Sequence, residues 1–326
     1  VLQALGTAPE SVPLHLRVAG WYDTKLEQAQ HAGTHYQYVL AIEPENVSAL
    51  TALELLLERY QNWPKVAEVL GKKVDLLVDP DERKASLQKL AQTYENKLDR
   101  ADDAIEAYRQ VVQIDGGDLA TLQALERLFT FRQRWEELVE VLEQQAGVLT
   151  DETAIVENHL TVGELFETRL GAPERAIDAY NQALGVDDKN LDAMKALEKL
   201  YTQQDRWHEL LDICEMMLQV SPEPEAQQRI LNRIAMIQEE ELSDVHATID
   251  TYEKMAVINP ADGASMRALD RLYRGTERWD DLAAAYERHL EHAQADGDKI
   301  AVRSALAELY RGPIADHHKA IDALKP

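Results

Sequence analysis

The sequence is poor in cysteine, glycine and proline. Cys214 is the only cysteine among 326 residues, so no disulfide can form within the chain. Its counterparts at intervals of 72 residues are Leu142, Leu70 and Tyr286, which predicts a small buried hydrophobe at this position. The 14 glycines and 11 prolines form no low-complexity tract. We therefore expect an ordered chain whose stability does not depend on disulfide bonds.

Long apolar runs and positive charge are also scarce. No run of about 18 apolar residues occurs, so the sequence predicts no membrane-spanning helix. The chain has 34 Lys and Arg against 59 Asp and Glu, a formal net charge of −25. A field of this sign repels nucleic acid and anionic lipid. These totals indicate an acidic protein whose partners are proteins, with no nucleic acid and no direct membrane insertion.

Catalytic and metal-binding motifs are missing as well. We find no G-x-G-x-x-G, no Walker loop and no G-x-S-x-G. The histidine pairs are His31 and His35, His289 and His292, and His317 and His318. None of these pairs belongs to an H-E-x-x-H motif or recurs in the repeat described next, so we expect them to face solvent. The sequence therefore predicts no enzyme, no cofactor and no metal.

A repeat of 72 residues dominates what is present. Tryptophan recurs at this interval without slippage, at Trp63, Trp135, Trp207 and Trp279. Tyrosine does so at Tyr36, Tyr108, Tyr180 and Tyr252. We refer to the four copies of the unit by their tryptophans, from the first (Trp63) to the fourth (Trp279). Such columns are typical of large side chains that fill the same gap between packed helices in every copy.

Each copy contains four amphipathic segments with short connections. Leu87, Leu90, Ala91 and Tyr94 lie at i, i+3, i+4 and i+7, which predicts one apolar helix face. Residues 101–114, 119–131 and 134–145 have the same periodicity, and no stretch alternates as a strand would. Because a single helical hairpin cannot bury its apolar faces, neighbouring hairpins must stack. The pattern predicts an all-α solenoid of about nine helical pairs forming a single array over residues 1–326. The sequence begins without Met and stops within a helical pattern, so we expect a part of a longer chain.

These columns resemble the tetratricopeptide repeat family, in degenerate form. Leu87, Leu90, Ala91 and Tyr94 match its first helix, and Ala104, Tyr108 and Val111 match its second helix. The closing proline occurs at Pro44 and Pro260. Alternate hairpins depart from the pattern, because Glu54, Glu126, Glu198 and Asp270 stand where a small residue belongs. The resemblance implies a right-handed superhelix of antiparallel hairpins, whose first helices line a concave groove that binds partner peptides or helices.

A basic cluster occupies the expected groove-facing positions. Its members are Arg127, Lys195, Lys199, Arg229, Asn232, Arg233, Arg267, Arg271 and Arg274. We interpret them as a hypothetical partner-binding groove for acidic peptide segments or a C-terminal carboxylate. A competing interpretation is pairing within each helix, of Lys195 with Glu198 and of Asp270 with Arg267 and Arg274.

The sequence thus favours a non-enzymatic scaffold for protein–protein interaction. One alternative is a structural subunit of a larger secretion, motility or envelope assembly that uses the convex face and the ends. Another is the regulatory repeat region of an enzyme whose catalytic domain lies outside this sequence, and an RNA-binding array is disfavoured by the charge. The abundance of Ala, Leu, Glu and Asp suggests a bacterial origin. The compartment is not identified, although the cytoplasm is favoured over the periplasm.

Overall fold

A computed structural model describes residues 9–26 and 28–325, and these residues form eighteen α-helices and no β-strand. The chain divides into two compact units, unit 1 (residues 1–172) and unit 2 (residues 173–326). Within each unit, every helix packs against the next helix in the chain. This is the all-α repeat solenoid that the sequence predicts. The single array over residues 1–326 stays a prediction.

Unit 1 contains nine of these helices. They are α1 (Val12–Thr24), α2 (Ala29–Ile42), α3 (Val47–Arg59), α4 (Trp63–Leu76), α5 (Pro80–Lys97), α6 (Ala101–Ile114), α7 (Leu119–Arg132), α8 (Trp135–Ala146) and α9 (Glu152–Leu165). A short 3₁₀ turn, Pro9–Ser11, precedes α1, and a π-helical segment, Phe166–Leu170, follows α9.

Unit 2 contains the other nine. They are α10 (Pro173–Val186), α11 (Leu191–Gln203), α12 (Trp207–Val220), α13 (Pro224–Met236), α14 (Val245–Ile258), α15 (Gly263–Gly275), α16 (Trp279–His292), α17 (Asp296–Arg311) and α18 (His317–Ala323). A π-helical segment, Ile237–Glu241, extends α13. Odd-numbered helices are the first helices of the predicted hairpins and even-numbered helices are the second.

Most first helices begin at a side-chain cap. An Asn or Asp side chain accepts a hydrogen bond from a backbone N–H of the first turn, which satisfies a donor that the helix itself leaves unpaired. These caps are Asn46, Asp79, Asp118, Asp151, Asn190 and Asp262. The sequence thus marks the entry of α3, α5, α7, α9, α11 and α15.

From α3 onward, the turn inside each hairpin has a left-handed residue at a fixed place. The positive φ angles fall at Gln61, Gln133, Asp205 and Glu277 in one series, and at Asp99, Gly171, Ser243 and Ala315 in the other. The residue after each of these donates its backbone N–H to the carbonyl at the end of the preceding helix, as from Arg134 to Phe129 at 2.9 Å. Only Gly171 is a glycine, although glycine adopts this conformation at least cost.

The repeated aromatic columns lie at equivalent positions. Each of the four tryptophans is the first residue of a second helix and is half-buried. Lys97 lies over the ring of Trp63 and Arg169 over that of Trp135, at 5.1 and 5.2 Å from the centroids. Cys214 is buried, and burial raises the pKa of its thiol to about 12, as expected for a core hydrophobe.

Candidate partner-binding surface

The nine predicted groove residues lie on first helices. Arg127 lies on α7 in unit 1. The other eight lie on α11, α13 and α15 in unit 2, and we name them the basic surface: Lys195, Lys199, Arg229, Asn232, Arg233, Arg267, Arg271 and Arg274. Seven of these eight side chains are exposed and Arg233 is half-buried.

Polar contacts join the three helices of the basic surface side by side. Arg233 on α13 donates from Nη2 to Thr202 Oγ1 on α11, at 3.2 Å. Gln228 Nε2 reaches the carboxylate of Asp262, the cap of α15, at 3.4 Å. Arg271 on α15 pairs with Glu239, at the end of α13, at 2.5 Å. The predicted residues of unit 2 therefore share one continuous face.

Carboxylates neutralise part of this face. In addition to the Arg271–Glu239 pair, Arg274 Nε lies 2.7 Å from Asp270 Oδ1, as the intrahelical interpretation expects. Lys195 pairs with Asp192 at 3.3 Å, whereas pairing with Glu198 was expected. Glu198 is half-buried, while Asp192 is exposed and lies one turn back on the same face as Lys195.

Three arginines of the basic surface differ from the rest. Within the residues that the structure describes, no carboxylate lies within ion-pair distance of Arg229, Arg233 or Arg267. Among the described residues, Arg229 donates to the backbone carbonyl of Glu225, at 3.3 Å. Asn232, one turn further along α13, is exposed. These groups can bind an anionic group without first losing an ion pair.

Arg127 has a different environment. Its guanidinium pairs with Glu95 on α5 at 2.6 Å, and Glu95 also accepts a hydrogen bond from the hydroxyl of Tyr108 at 3.0 Å. Burial and the Glu95 carboxylate raise the pKa of Tyr108, so the phenol stays protonated and donates. Arg127 therefore links two hairpins of unit 1.

The ion pair between Arg127 and Glu95 has a sequence signal that the intrahelical interpretation does not use. Arg127 and Arg271 both stand 32 residues after their glutamates, Glu95 and Glu239. A pair that repeats with the structural unit indicates a contact between equivalent hairpins.

Three members of the acidic column that departs from the tetratricopeptide pattern make polar contacts through their side chains. Glu54 is buried, and its two oxygens meet Lys73 at 2.9 Å and Lys89 at 2.5 Å. In the next copy Glu126 accepts from Gln145 at 2.8 Å. In the fourth copy Asp270 accepts from Tyr286 at 2.6 Å. These acids bind the second helix of their own hairpin, a role that a small residue could not fill.

Two histidines depart from the expectation of solvent-facing rings. His35 is half-buried, and its Nδ1 lies 2.8 Å from Nδ1 of the buried His15. Partial burial, followed by the nearby His15 and His31, lowers the pKa of His35. His289 is buried because it occupies the core-facing column of α16, which holds Gln145 in α8.

We find no arrangement suited to a metal ion in the described ranges, where no three His, Cys, Asp or Glu side chains form a possible site. None of the helices described by the structure combines the length and the apolar character that crossing a bilayer requires.

The helical hairpins and their shared first-helix face define the class of the protein, an all-α repeat solenoid. A model of the tetratricopeptide repeat family matches residues 121–154, 193–228 and 265–300. The chain therefore carries tetratricopeptide repeats in these three segments. Repeats of this family are generally non-catalytic, and they support a scaffold for protein–protein interaction.

Several solved structures match this chain at low sequence identity. The crystal structure of MamA protein is 18% identical, with a TM-score of 0.34, over 55% of this chain and 93% of that one. YrrB, described as a TPR protein with an unusual peptide-binding site, is 11% identical with a TM-score of 0.35, over 60% and 95%. A tetratricopeptide repeat protein from Parabacteroides merdae is 11% identical with a TM-score of 0.35, over 81% and 99%. No curated protein matches the sequence.

Proposed function

We propose that the chain is a non-enzymatic scaffold whose unit 2 binds an acidic, extended segment of a partner protein along the basic surface. The observation that carries this proposal is the continuity of α11, α13 and α15, which three polar contacts join. A continuous face of parallel first helices offers side chains at regular intervals to a chain that lies across them.

The charge distribution supports an acidic segment that makes few strong contacts. Arg229, Arg233 and Arg267 are the arginines of the basic surface that have no carboxylate within ion-pair distance among the described residues, so we assign them to the partner's carboxylates. Arg271 and Arg274 remain paired with Glu239 and Asp270, and they flank the proposed path of the partner segment. Arg229 also lines a cleft of about 470 Å³ with Pro224, Gln228 and Ile258, where an apolar side chain of the partner can be buried.

The negative charge of the rest of the molecule favours selective binding of acidic segments at the basic surface. A net charge of −25 repels acidic segments everywhere except where arginine is concentrated. Electrostatic attraction therefore stabilises an acidic partner on this face, and repulsion destabilises its binding elsewhere.

The test is binding to an array of acidic 12-residue peptides, each with a matched neutral version in which Gln and Asn replace Glu and Asp. We expect acidic peptides to bind unit 2 in the intact chain, with affinity that falls as salt rises. The double variant Arg229→Glu/Arg267→Glu is expected to lose this binding. A matched reversal, Lys189→Glu/Lys254→Glu, alters two exposed lysines of the same unit away from the basic surface and should keep it.

Equal binding of the acidic and neutral peptides would reject the electrostatic assignment. Retention of binding by the arginine variant would reject the surface. If the chain instead self-associates reversibly in sedimentation at rising concentration, a structural subunit of an assembly becomes the better description.

A further inference from the structure

The fourth copy of the repeat contains a cavity that two alanines line. Ala256 on α14 and Ala285 on α16 line a cavity of about 320 Å³ within unit 2. In the other three copies the position of Ala256 holds Leu40, Val112 and Leu184, and that of Ala285 holds Val69, Val141 and Ile213. Side-chain bulk is thus removed from two facing helices in one copy. The volume lies at the lower end of the range for small-molecule sites.

The walls of this cavity select for an uncharged ligand. Its floor is apolar and includes the buried side chains of Met266 and Leu269. Two of the charged groups at the rim are already engaged, and a third, Glu291, is exposed. Arg288 pairs with Glu253 at 3.0 Å, and Asp262 caps α15 through two backbone N–H groups. An anionic head group would therefore meet no unpaired cation among these residues, and a cationic one that reached the apolar floor would lose its hydration without gaining a partner.

One buried polar side chain gives the cavity a specific hydrogen-bonding atom. His289 is among the lining residues and is only 4% exposed. Its Nδ1 lies 2.9 Å from the carbonyl oxygen of Pro260, so in the neutral ring Nδ1 carries the proton and donates. Nε2 is then an acceptor. The carboxylate of Asp298, 3.5 Å from Nε2, is also an acceptor and supplies no proton to the neutral ring.

We propose that this cavity binds a small, neutral aromatic molecule with one hydrogen-bond donor, of the size of phenol or indole. The ring occupies the space that the two alanines leave, in contact with Met266, whose thioether interacts favourably with aromatic rings. The ligand's O–H or N–H donates to Nε2 of His289. The cavity lies between α14 and α16 and against the buried face of α15, and none of its lining residues belongs to the basic surface.

The equivalent positions of the other copies serve as an internal comparison. In the second copy Gln144 reaches across and donates to the carbonyl of Gly116 at 3.0 Å. The third copy places Met216 and Met217 where the fourth has Arg288 and His289. The first copy retains a cleft of about 280 Å³, but it keeps Leu40 and Val69 in its lining. The combination of two alanines with a buried histidine is confined to the fourth copy.

The experiment compares indole with 1-methylindole, which has the same ring and no donor, by amide chemical-shift titration of the intact chain. Indole is expected to bind with a dissociation constant of about 0.1–1 mM, as its few atoms allow. The loss of one hydrogen bond should weaken 1-methylindole about three- to tenfold. The shifts should cluster around Ala256, Ala285 and His289.

Three variants complete the test. Ala256→Leu and Ala285→Val restore the residue types of other copies, so they should fold normally and lower the affinity for indole about tenfold or more. Ala301→Val changes an exposed alanine of α17 and should leave binding unchanged. His289→Met, the residue of the third copy, should make indole and 1-methylindole bind alike. The proposal is overturned by equal binding of the two ligands to the wild type, by unchanged affinity in the filled variants, or by absence of saturable binding.

Discussion

At the scale of single residues, the hairpin turns use a conformation that suits their residues poorly. Gln133 ends α7 in the left-handed region, at φ 55°, and its side chain is exposed. For a residue with a β-carbon this conformation costs about 1–2 kcal/mol, and glycine avoids that cost. Part of the gain is lost because glycine is more flexible when unfolded.

We therefore expect Gln133→Gly to stabilise unit 1 by about 0.5–1 kcal/mol in urea unfolding. Gln123→Gly provides the control, because Gln123 is an exposed glutamine inside the same helix. That change should destabilise the protein by about 1 kcal/mol. If both changes destabilise, the turn conformation is not a cost in this protein.

The paired histidines of the first hairpin make stability depend on pH. Burial and the neighbouring His15 and His31 lower the pKa of His35 in the folded state. The folded chain thus takes up this proton less readily than the unfolded chain, so His35 contributes stability above the ordinary histidine pKa of about 6.5. That contribution is lost as the pH falls through the lower folded pKa.

We expect the thermal midpoint to decrease as the pH is lowered from about 7.5 to about 5.5, a window that lies above the ordinary carboxylate pKa values of about 3.9–4.3. His35→Gln should flatten this profile, whereas His208→Gln, at an exposed position on α12, should not. A wild-type midpoint that is constant over the window would contradict the prediction.

At the scale of helices, the buried acid of the first copy is the contact whose removal should cost most. Glu54 on α3 accepts from Lys73 on α4 and from Lys89 on α5, so it binds both its own hairpin and the next. Replacing it by glutamine removes a charge that faces two ammonium groups. We expect Glu54→Gln to lower the free energy of unfolding by about 1–3 kcal/mol.

The matched control is Glu68→Gln. Glu68 pairs with Lys72 at 2.7 Å, but both side chains are more than half exposed. Exposed pairs of this kind contribute about 0.5 kcal/mol or less. Urea midpoints of the two variants should therefore differ clearly, and similar midpoints would show that the Glu54 contacts do not support the packing of α3, α4 and α5.

The positions of the helices are also the feature of the structure that the sequence predicts best. The 3.6-residue periodicity predicts α6 at residues 101–114, and the structure has Ala101–Ile114. The columns that repeat every 72 residues predict equivalent surroundings, because identical hairpins stack in identical ways. The periodicity of one helix says nothing about which charged side chain on the next helix lies opposite. The pairs Arg127–Glu95 and Arg271–Glu239 therefore lie outside what that reasoning finds.

The candidate sites differ in how far the sequence reveals them. The basic positions are visible because Arg127, Lys199 and Arg271 fall in one column. Which of these basic side chains form ion pairs depends on side-chain geometry. The separation of Arg229, Arg233 and Arg267 from carboxylates depends on it as well. The cavity at Ala256 and Ala285 requires knowing that two columns on different helices face each other. The contact of His15 with His35 likewise joins two helices of unlike sequence.

At the scale of the whole molecule, the excess of acidic residues opposes the compact state. The 59 Asp and Glu outnumber the 34 Lys and Arg, and carboxylates without a partner repel one another over distances near the Debye length of about 10 Å at 0.1 M salt. Salt screens this repulsion more than it weakens pairs such as Lys84–Asp118, whose atoms lie 2.5 Å apart. Screening should thus favour folding.

We expect the unfolding midpoint to rise between about 10 mM and 300 mM NaCl, by an amount equivalent to a few tenths of a kcal/mol up to about 1 kcal/mol. Choline chloride at equal ionic strength should act alike, since screening depends on ionic strength and not on the cation. A midpoint that falls with either salt would mean that the ion pairs between hairpins outweigh the net repulsion. In that case the acidic surface would be a determinant of partner choice with no cost to the fold.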